Sequence, residues 1–149
     1  MYTCYGGAHS SVVAAAIHVG MLPSDRIPSY IEIASVPYYD RTDSKFIGIP
    51  LFMGMDLQEN RVYAMGMKNG EAMIERIMYQ YLSSYGIAKS ELIFADAFST
   101  LSVITKLGGF ISRRLQLVSL GRPLTIWGIM KNYGKLVKLV DDTKNKVLT

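Results

Sequence analysis

The chain has 149 residues, half of them hydrophobic and 19% charged, with a formal net charge of +4. That length suits one ordinary domain over 1–149, and that composition excludes a disordered chain. The one cysteine, Cys4, excludes an internal disulfide and favours a reducing compartment. MYTCYGGAHSS has no basic region ahead of an apolar stretch, so no signal peptide is expected. No apolar run approaches the roughly 20 residues of a membrane span. The expectation is a cytoplasmic protein with no membrane partner. Five of the 16 basic residues, Lys131, Lys135, Lys138, Lys144 and Lys146, fall near the end of the sequence. They read as the solvated face and C-terminal end of one helix, where cations suit the macrodipole. No basic-and-aromatic motif accompanies them, so nucleic acid is not an expected partner.

In chain order, residues 1–5 are short, partly β-branched and aromatic, and stop at a glycine pair, which predicts a strand. Ser10 or Ser11 can cap the following helix, 12–19, with Gly20 placed to end it. Val12-Val13-Ala14-Ala15-Ala16-Ile17 is apolar all round, as in a helix covered on most sides beside a sheet. Residues 22–48 are punctuated by Pro23, Pro28 and Pro37, with a short helix over 29–35 capped by Ser29. Tyr38-Tyr39-Asp40-Arg41-Thr42-Asp43 is a polar excursion that reads as a lid, a partner surface or a plain connection.

Residues 49–55 and 61–67 flank Asp56–Asn60 and predict a β-hairpin. Asn69 caps an amphipathic helix whose stripe of Met73, Ile74, Ile77, Met78, Tyr81, Leu82 and Tyr85 is expected in the core, with Gly86 as its stop. Leu92-Ile93-Phe94-Ala95 within 91–97 resembles a buried parallel strand ending at Asp96. A further helix starts at Ser99 or Thr100, weakens at Gly108-Gly109 and resumes to Arg114. Residues 115–120 are a strand candidate. A last helix runs from about Thr125 to Val147 with Ile126, Met130, Tyr133, Val137 and Val140 inward. Alternating strands and helices predict an α/β three-layer sandwich, with a mainly parallel, mixed sheet of about five strands and a P-loop-like first strand–turn–helix.

That first turn, Gly6-Gly7-Ala8-His9-Ser10-Ser11, carries the strongest functional signal. A glycine pair turns tightly and lets backbone approach a ligand. A helix N-terminus offers free N–H groups and the positive end of a dipole. His9 adds a cation or donor, and Ser10 and Ser11 add hydroxyls. Together these are the parts of a phosphate or oxyanion site; equally, they are the parts of a capped glycine turn. The nucleotide P-loop ends in Gly-Lys-Ser/Thr, and here Ala8-His9-Ser10 stands in that place without the lysine. The dinucleotide pattern G-x-G-x-x-G is absent too. The phosphatase loop requires an arginine six residues after its cysteine, and counting from Cys4 that position is Ser10. Cys4 itself reads either as a thiol activated near a helix N-terminus and His9, or as a buried inert residue.

Asp96 would sit at the same carboxyl edge if its strand lies beside the first, where it could position Mg²⁺ or a proton, the role of the strand-end aspartate in P-loop proteins. Otherwise it caps the next turn near Phe98 and Ser99. Arg122, after the strand candidate 115–120, is preferred to Arg113 and Arg114 as a phosphate clamp. His18 reads as a satisfied helix histidine, and two histidines with one cysteine at these spacings give no metal motif.

Two functions are compatible with these residues. One is a phosphate- or nucleotide-binding protein, possessing phosphotransfer or hydrolytic activity or not, with His9 and Asp96 as catalytic candidates. Gly6, Gly7, His9, Ser10, Ser11 and Arg122 would be the ligand-binding set, and Mg²⁺ the cofactor if a nucleotide binds. The other is a non-catalytic binding or regulatory protein using 22–48 as a partner or homo-oligomer surface.

The motifs Cys4–His18, Arg26-Ile27-Pro28, Pro37-Tyr38-Tyr39-Asp40, Gly108–Arg114 and Gly121-Arg122-Pro123-Leu124 together span nearly the whole chain. In them the sequence resembles an uncharacterised family of short proteins from clostridia and other spore-forming Firmicutes. The resemblance implies a bacterial cytoplasmic setting and brings no activity with it.

Overall fold

A computed structural model describes residues 1–101 and 118–147. β1 (Tyr2–Cys4), β2 (Leu51–Met55), β3 (Arg61–Gly66) and β4 (Ala95–Asp96) form one mixed sheet in the order β2-β3-β1-β4. β1 is parallel to β3 and to β4, and β2 is antiparallel to β3. Among the described residues five α-helices accompany it: α1 (Ser10–His18), α2 (Tyr30–Ser35), α3 (Glu71–Ser83), α4 (Val118–Lys131) and α5 (Tyr133–Val147). The α/β class and the 51–55/61–66 hairpin are as the sequence predicts.

Side chains alternate across a strand. On β1, Tyr2 and Cys4 reach α1, through His18 and Ser11, whereas Thr3 donates to Glu71 of α3. Helices therefore lie on both faces. α1 is buried along its whole length and packs on β1, β3 and α5. Its run of valines and alanines suits that position, because small side chains let a helix be enclosed on every side. α2 is closed by a capping box: Ser29 Oγ accepts from Glu32 N–H, and Glu32 accepts from Ser29 N–H.

Several expectations change. The start of α1 is at Ser10, and its N-cap is His9, not Ser10 or Ser11. The N-cap of α3 is Gly70 rather than Asn69. The α3 stripe is not core. Ile74, Met78 and Leu82 are half-buried, but Met73, Ile77, Tyr81 and Tyr85 are each about 60–70% exposed. The two sets are offset by one residue, about 100° around a helix, so a single contact line covers one set only. The strand expected over 91–97 pairs only at Ala95–Asp96, as an edge strand with β1 as its neighbour, and Leu92–Phe94 are half-buried.

At 118–120, part of the strand expected over 115–120, the chain is already helical. Arg122 therefore stands inside α4 rather than after a strand, with Pro123 beside it. An apolar run ahead of Gly-Arg-Pro mimics a strand and its turn, but the proline is accommodated within the helix. The fifth strand is not formed among the described residues; 115–117 and the helix expected beyond Leu101 lie outside them, as do Arg113 and Arg114. The long terminal helix is two helices. Asn132 ends α4 through Nδ2–H to Gly128 O at 2.9 Å, and its own carbonyl accepts from Lys135 N–H at 3.0 Å as α5 begins. Ile126, Tyr133 and Val140 are buried as expected, joined by Ile129 and Leu136.

Candidate anion site at the carboxyl edge of the sheet

α1 leaves β1 on one face and α3 leaves β3 on the other. Between the carboxyl ends of these adjacent parallel strands the chain departs in opposite directions, the place where open α/β sheets receive ligands. The Gly6–His9 turn lies there. It is fixed by backbone packing: a Cβ on Gly7 (φ +67°) would stand 2.6 Å from Gly66 N, and one on Gly66 would stand 2.6 Å from Gly6 C. Met67 N–H and Lys68 N–H donate to Cys4 O and Tyr5 O, continuing the β1–β3 pairing into the turn. The glycines thus serve strand-to-turn contact at this point.

So held, the turn directs Gly7 N–H to Cys4 Sγ at 3.1 Å, and Ser11 Oγ lies 3.0 Å from the same sulfur. The α1 hydrogen-bond ladder opens with Val13 N–H to His9 O, leaving the N–H groups before Val13 ahead of it. His9 caps the helix with backbone only. Ser10 is fully buried, and its Oγ has no hydrogen-bond partner among the described residues. Buried hydroxyls are nearly always bonded, which makes this one an exception within the turn.

Asp40 joins the remaining parts. Its Oδ1 lies 3.1 Å from His9 Nε2 and its Oδ2 accepts from Arg122 Nε at 3.2 Å. The carboxylate is 3% exposed, His9 11% and Arg122 35%. Its loop lies on the glycine turn, with Asp40 N–H donating to Ala8 O and Thr42 Oγ1–H to Gly7 O. Tyr38 (φ +65°) and Asp40 (φ +52°) both adopt left-handed backbone, a costly conformation for non-glycine residues that tertiary contacts must hold. Tyr39, buried between them, stacks edge-on with His9 and donates to Thr125 Oγ1 of α4. Burial pushes its phenol pKa well up, so it remains a donor.

His9 and Arg122, far apart in sequence, are therefore brought onto one carboxylate, with Ser10 next to His9 in the chain. Asp96 lies on β4 beside Thr3 of β1. Its Oδ1 accepts from Phe98 N–H at 2.8 Å and from Ser99 N–H at 3.4 Å, the turn-capping arrangement. Asp40 was not among the site residues expected from sequence. Its signal was there as the acid of the polar excursion 38–43, but the partners that give it meaning lie 31 and 82 residues away. Among the described residues, no group of three or more His, Cys, Asp or Glu is placed to hold a metal ion.

At the opposite end of α1, Tyr2 OH lies 2.6 Å from His18 Nδ1, and His18 Nε2 lies 3.0 Å from Asp56 Oδ2. Asp56 also accepts from the Asn60 side chain and from the Asn60 and Gln58 amides. Burial would raise its carboxyl pKa, but these bonds outweigh it and hold the value at about 2. Burial lowers His18, helped by the Lys144 charge and opposed by Asp56. The neutral ring then accepts from Tyr2 and donates to Asp56. Both nitrogens are engaged, the satisfied histidine expected from sequence. An open cavity of about 870 Å³, lined by His18, Gly20, Asp56, Asn60, Asp141 and Lys144 among others, lies at this amino edge.

The fold and turn define an α/β protein with helices on both faces of a mixed sheet. Residues 1–145 match the family model described as "Protein of unknown function (DUF3189)", and the chain belongs to that family. No match was found among curated proteins or among solved structures. No helix among the described residues is long and apolar enough to cross a membrane.

Proposed function

We propose that this protein binds a phosphate-class anion in the Gly6–Ser11 turn, as the free ion or as part of a small phosphorylated ligand or nucleotide, in the cytoplasm. The observation that carries the reading is the partnerless, fully buried Ser10 hydroxyl in the first turn of α1. Its neighbours support it. His9 and Arg122 share one carboxylate, so an arriving anion finds two donors already gathered. The Arg122 guanidinium takes the clamping role, and the helix N–H groups supply the cradle. The strand–turn–helix layout is what supports a P-loop-like reading of the turn. With His9 where the nucleotide loop has lysine, ordinary ATP hydrolysis is not the chemistry favoured.

In this reading Asp40 is an internal anion that holds the site closed, and the Tyr38–Thr42 loop moves aside when a ligand anion takes its place. Titration of the protein with inorganic phosphate, followed by amide NMR, tests it. Shifts at Gly7, His9 and Ser10 that saturate are expected. Failure of phosphate and of a nucleotide panel to move these resonances rejects it.

A second reading, a binding protein acting through a surface, is favoured by the exposed Met73, Ile77, Tyr81 and Tyr85 on α3. Self-association measured by sedimentation, abolished by Ile77→Glu, would favour it.

A further inference from the structure

We infer that Cys4 is the nucleophile of a phosphomonoester-cleaving centre built into the anion turn. The inference rests on the anion-site reading and adds a reaction to it. A buried cysteine in a strand is ordinarily inert and bonded to nothing. Cys4 instead ends β1 at the entry to α1, with Gly7 N–H donating to its sulfur at 3.1 Å and Ser11 Oγ in hydrogen-bond contact with it at 3.0 Å. The Gly7 donor is aimed by a left-handed turn that only glycine fits, because of the Gly66 backbone behind it. An ionised sulfur here would accept from both Gly7 N–H and Ser11 Oγ–H, and the positive end of a helix stabilises it too. The independent sign of a ligand is Ser10, one residue before Ser11, fully buried with its hydroxyl unsatisfied.

The chemistry balances with the groups present. The Cys4 thiol first gives its proton to solvent. Its thiolate attacks phosphorus; the S–P bond forms as the ester P–O bond breaks. The departing alkoxide takes a proton from His9, whose ring is released from Asp40 when the ligand displaces the Tyr38–Thr42 loop. Water then attacks the phosphorus of the thiophosphate and returns its proton to His9. The S–P bond breaks, restoring the thiolate and releasing inorganic phosphate. Arg122 and the helix N–H groups hold the equatorial oxygens. The net reaction is a phosphomonoester plus water to an alcohol plus phosphate, with no other reactant.

The test uses the whole protein, with p-nitrophenyl phosphate as substrate, inorganic phosphate as ligand and iodoacetamide as thiol probe. Cys4 is expected to alkylate at least about tenfold faster than glutathione at neutral pH. Phosphate should slow the alkylation. Cys4→Ser should lower turnover by at least about 100-fold while keeping phosphate binding. Ser11→Ala, which leaves the sulfur in place, should slow the alkylation and guards against a Cys4 variant that fails to fold. Alkylation no faster than that of glutathione, or turnover that survives in Cys4→Ser, overturns the inference. Phosphate binding by a chain that turns over no ester also overturns it while leaving the anion site standing. Absence of phosphate binding in the unaltered protein removes both.

Discussion

Gly7 and Gly66 meet backbone to backbone, so that a Cβ added to Gly7 would stand 2.6 Å from Gly66 N. This contact joins the first turn to the end of β3 and sets the direction of the Gly7 N–H. Alanine at either position must displace main chain, not a side-chain tip. Gly7→Ala adds the left-handed penalty of about 1–2 kcal/mol to an overpacking cost of about 1–3 kcal/mol. Gly7→Ala should lower stability by about 3 kcal/mol in urea unfolding, and Gly66→Ala, which carries no left-handed penalty, by about 2 kcal/mol. Gly20→Ala, also left-handed at φ +76° but facing open space, should cost only about 1 kcal/mol. Equal costs at Gly7 and Gly20 would show that the close approach is unimportant.

Asp40→Asn keeps the shape of the loop and removes its charge. His9 and Arg122 then lose their internal anion. Inorganic phosphate should bind about tenfold more tightly in calorimetry, while stability falls by about 1–3 kcal/mol, since Arg122 is partly solvated. Weaker phosphate binding in this variant would make Asp40 a supporter of the ligand rather than its competitor.

Arg122→Lys retains the charge but loses the planar fork and the Nε donor that reaches Asp40. Phosphate affinity is expected to drop by about tenfold with little change in melting temperature. An unchanged affinity would exclude Arg122 from the clamp.

The Tyr2–His18–Asp56 chain gives stability a stepped dependence on pH. Burial holds His18 below its ordinary value of 6.5, so the fold favours the neutral ring. Its contribution is complete above about pH 6.5 and declines as pH falls, because the unfolded chain takes up a proton that the folded ring resists. Asp56, held at about 2 against an ordinary 3.8, contributes fully above about pH 4 and loses its contribution as pH falls to about 2. That second step is on the order of 2 kcal/mol. Urea unfolding between pH 8 and 3 should show the upper step in the native chain and not in His18→Gln. An upper step that persists in the variant would assign it elsewhere.

Much of the fold was legible because it is local. The glycine pair after β1, the Ser29 cap, the hairpin around Asp56 and the left-handed Gly20 and Gly86 each announce themselves within a few residues. The α3 stripe misled because periodicity reports an apolar face without saying whether anything covers it. Residues 118–120 misled because Gly-Arg-Pro punctuation is compatible with a helix that tolerates its proline. The candidate site was half legible. His9, Ser10 and Arg122 were singled out by residue type, but Asp40, which ties two of them together, depends on a contact 82 residues long. No spacing rule records such a contact.

α1 is a rod with no slack. Sulfur and hydroxyl pin its first turn, the imidazole relay pins its last, and apolar neighbours enclose everything between. In the proposed anion-binding reading, admission cannot proceed by sliding this helix, so the motion falls to the Tyr38–Thr42 loop. Its opening then acts as a clock. The observed association rate for phosphate should level off at high concentration, at the rate with which the Asp40 loop lets go.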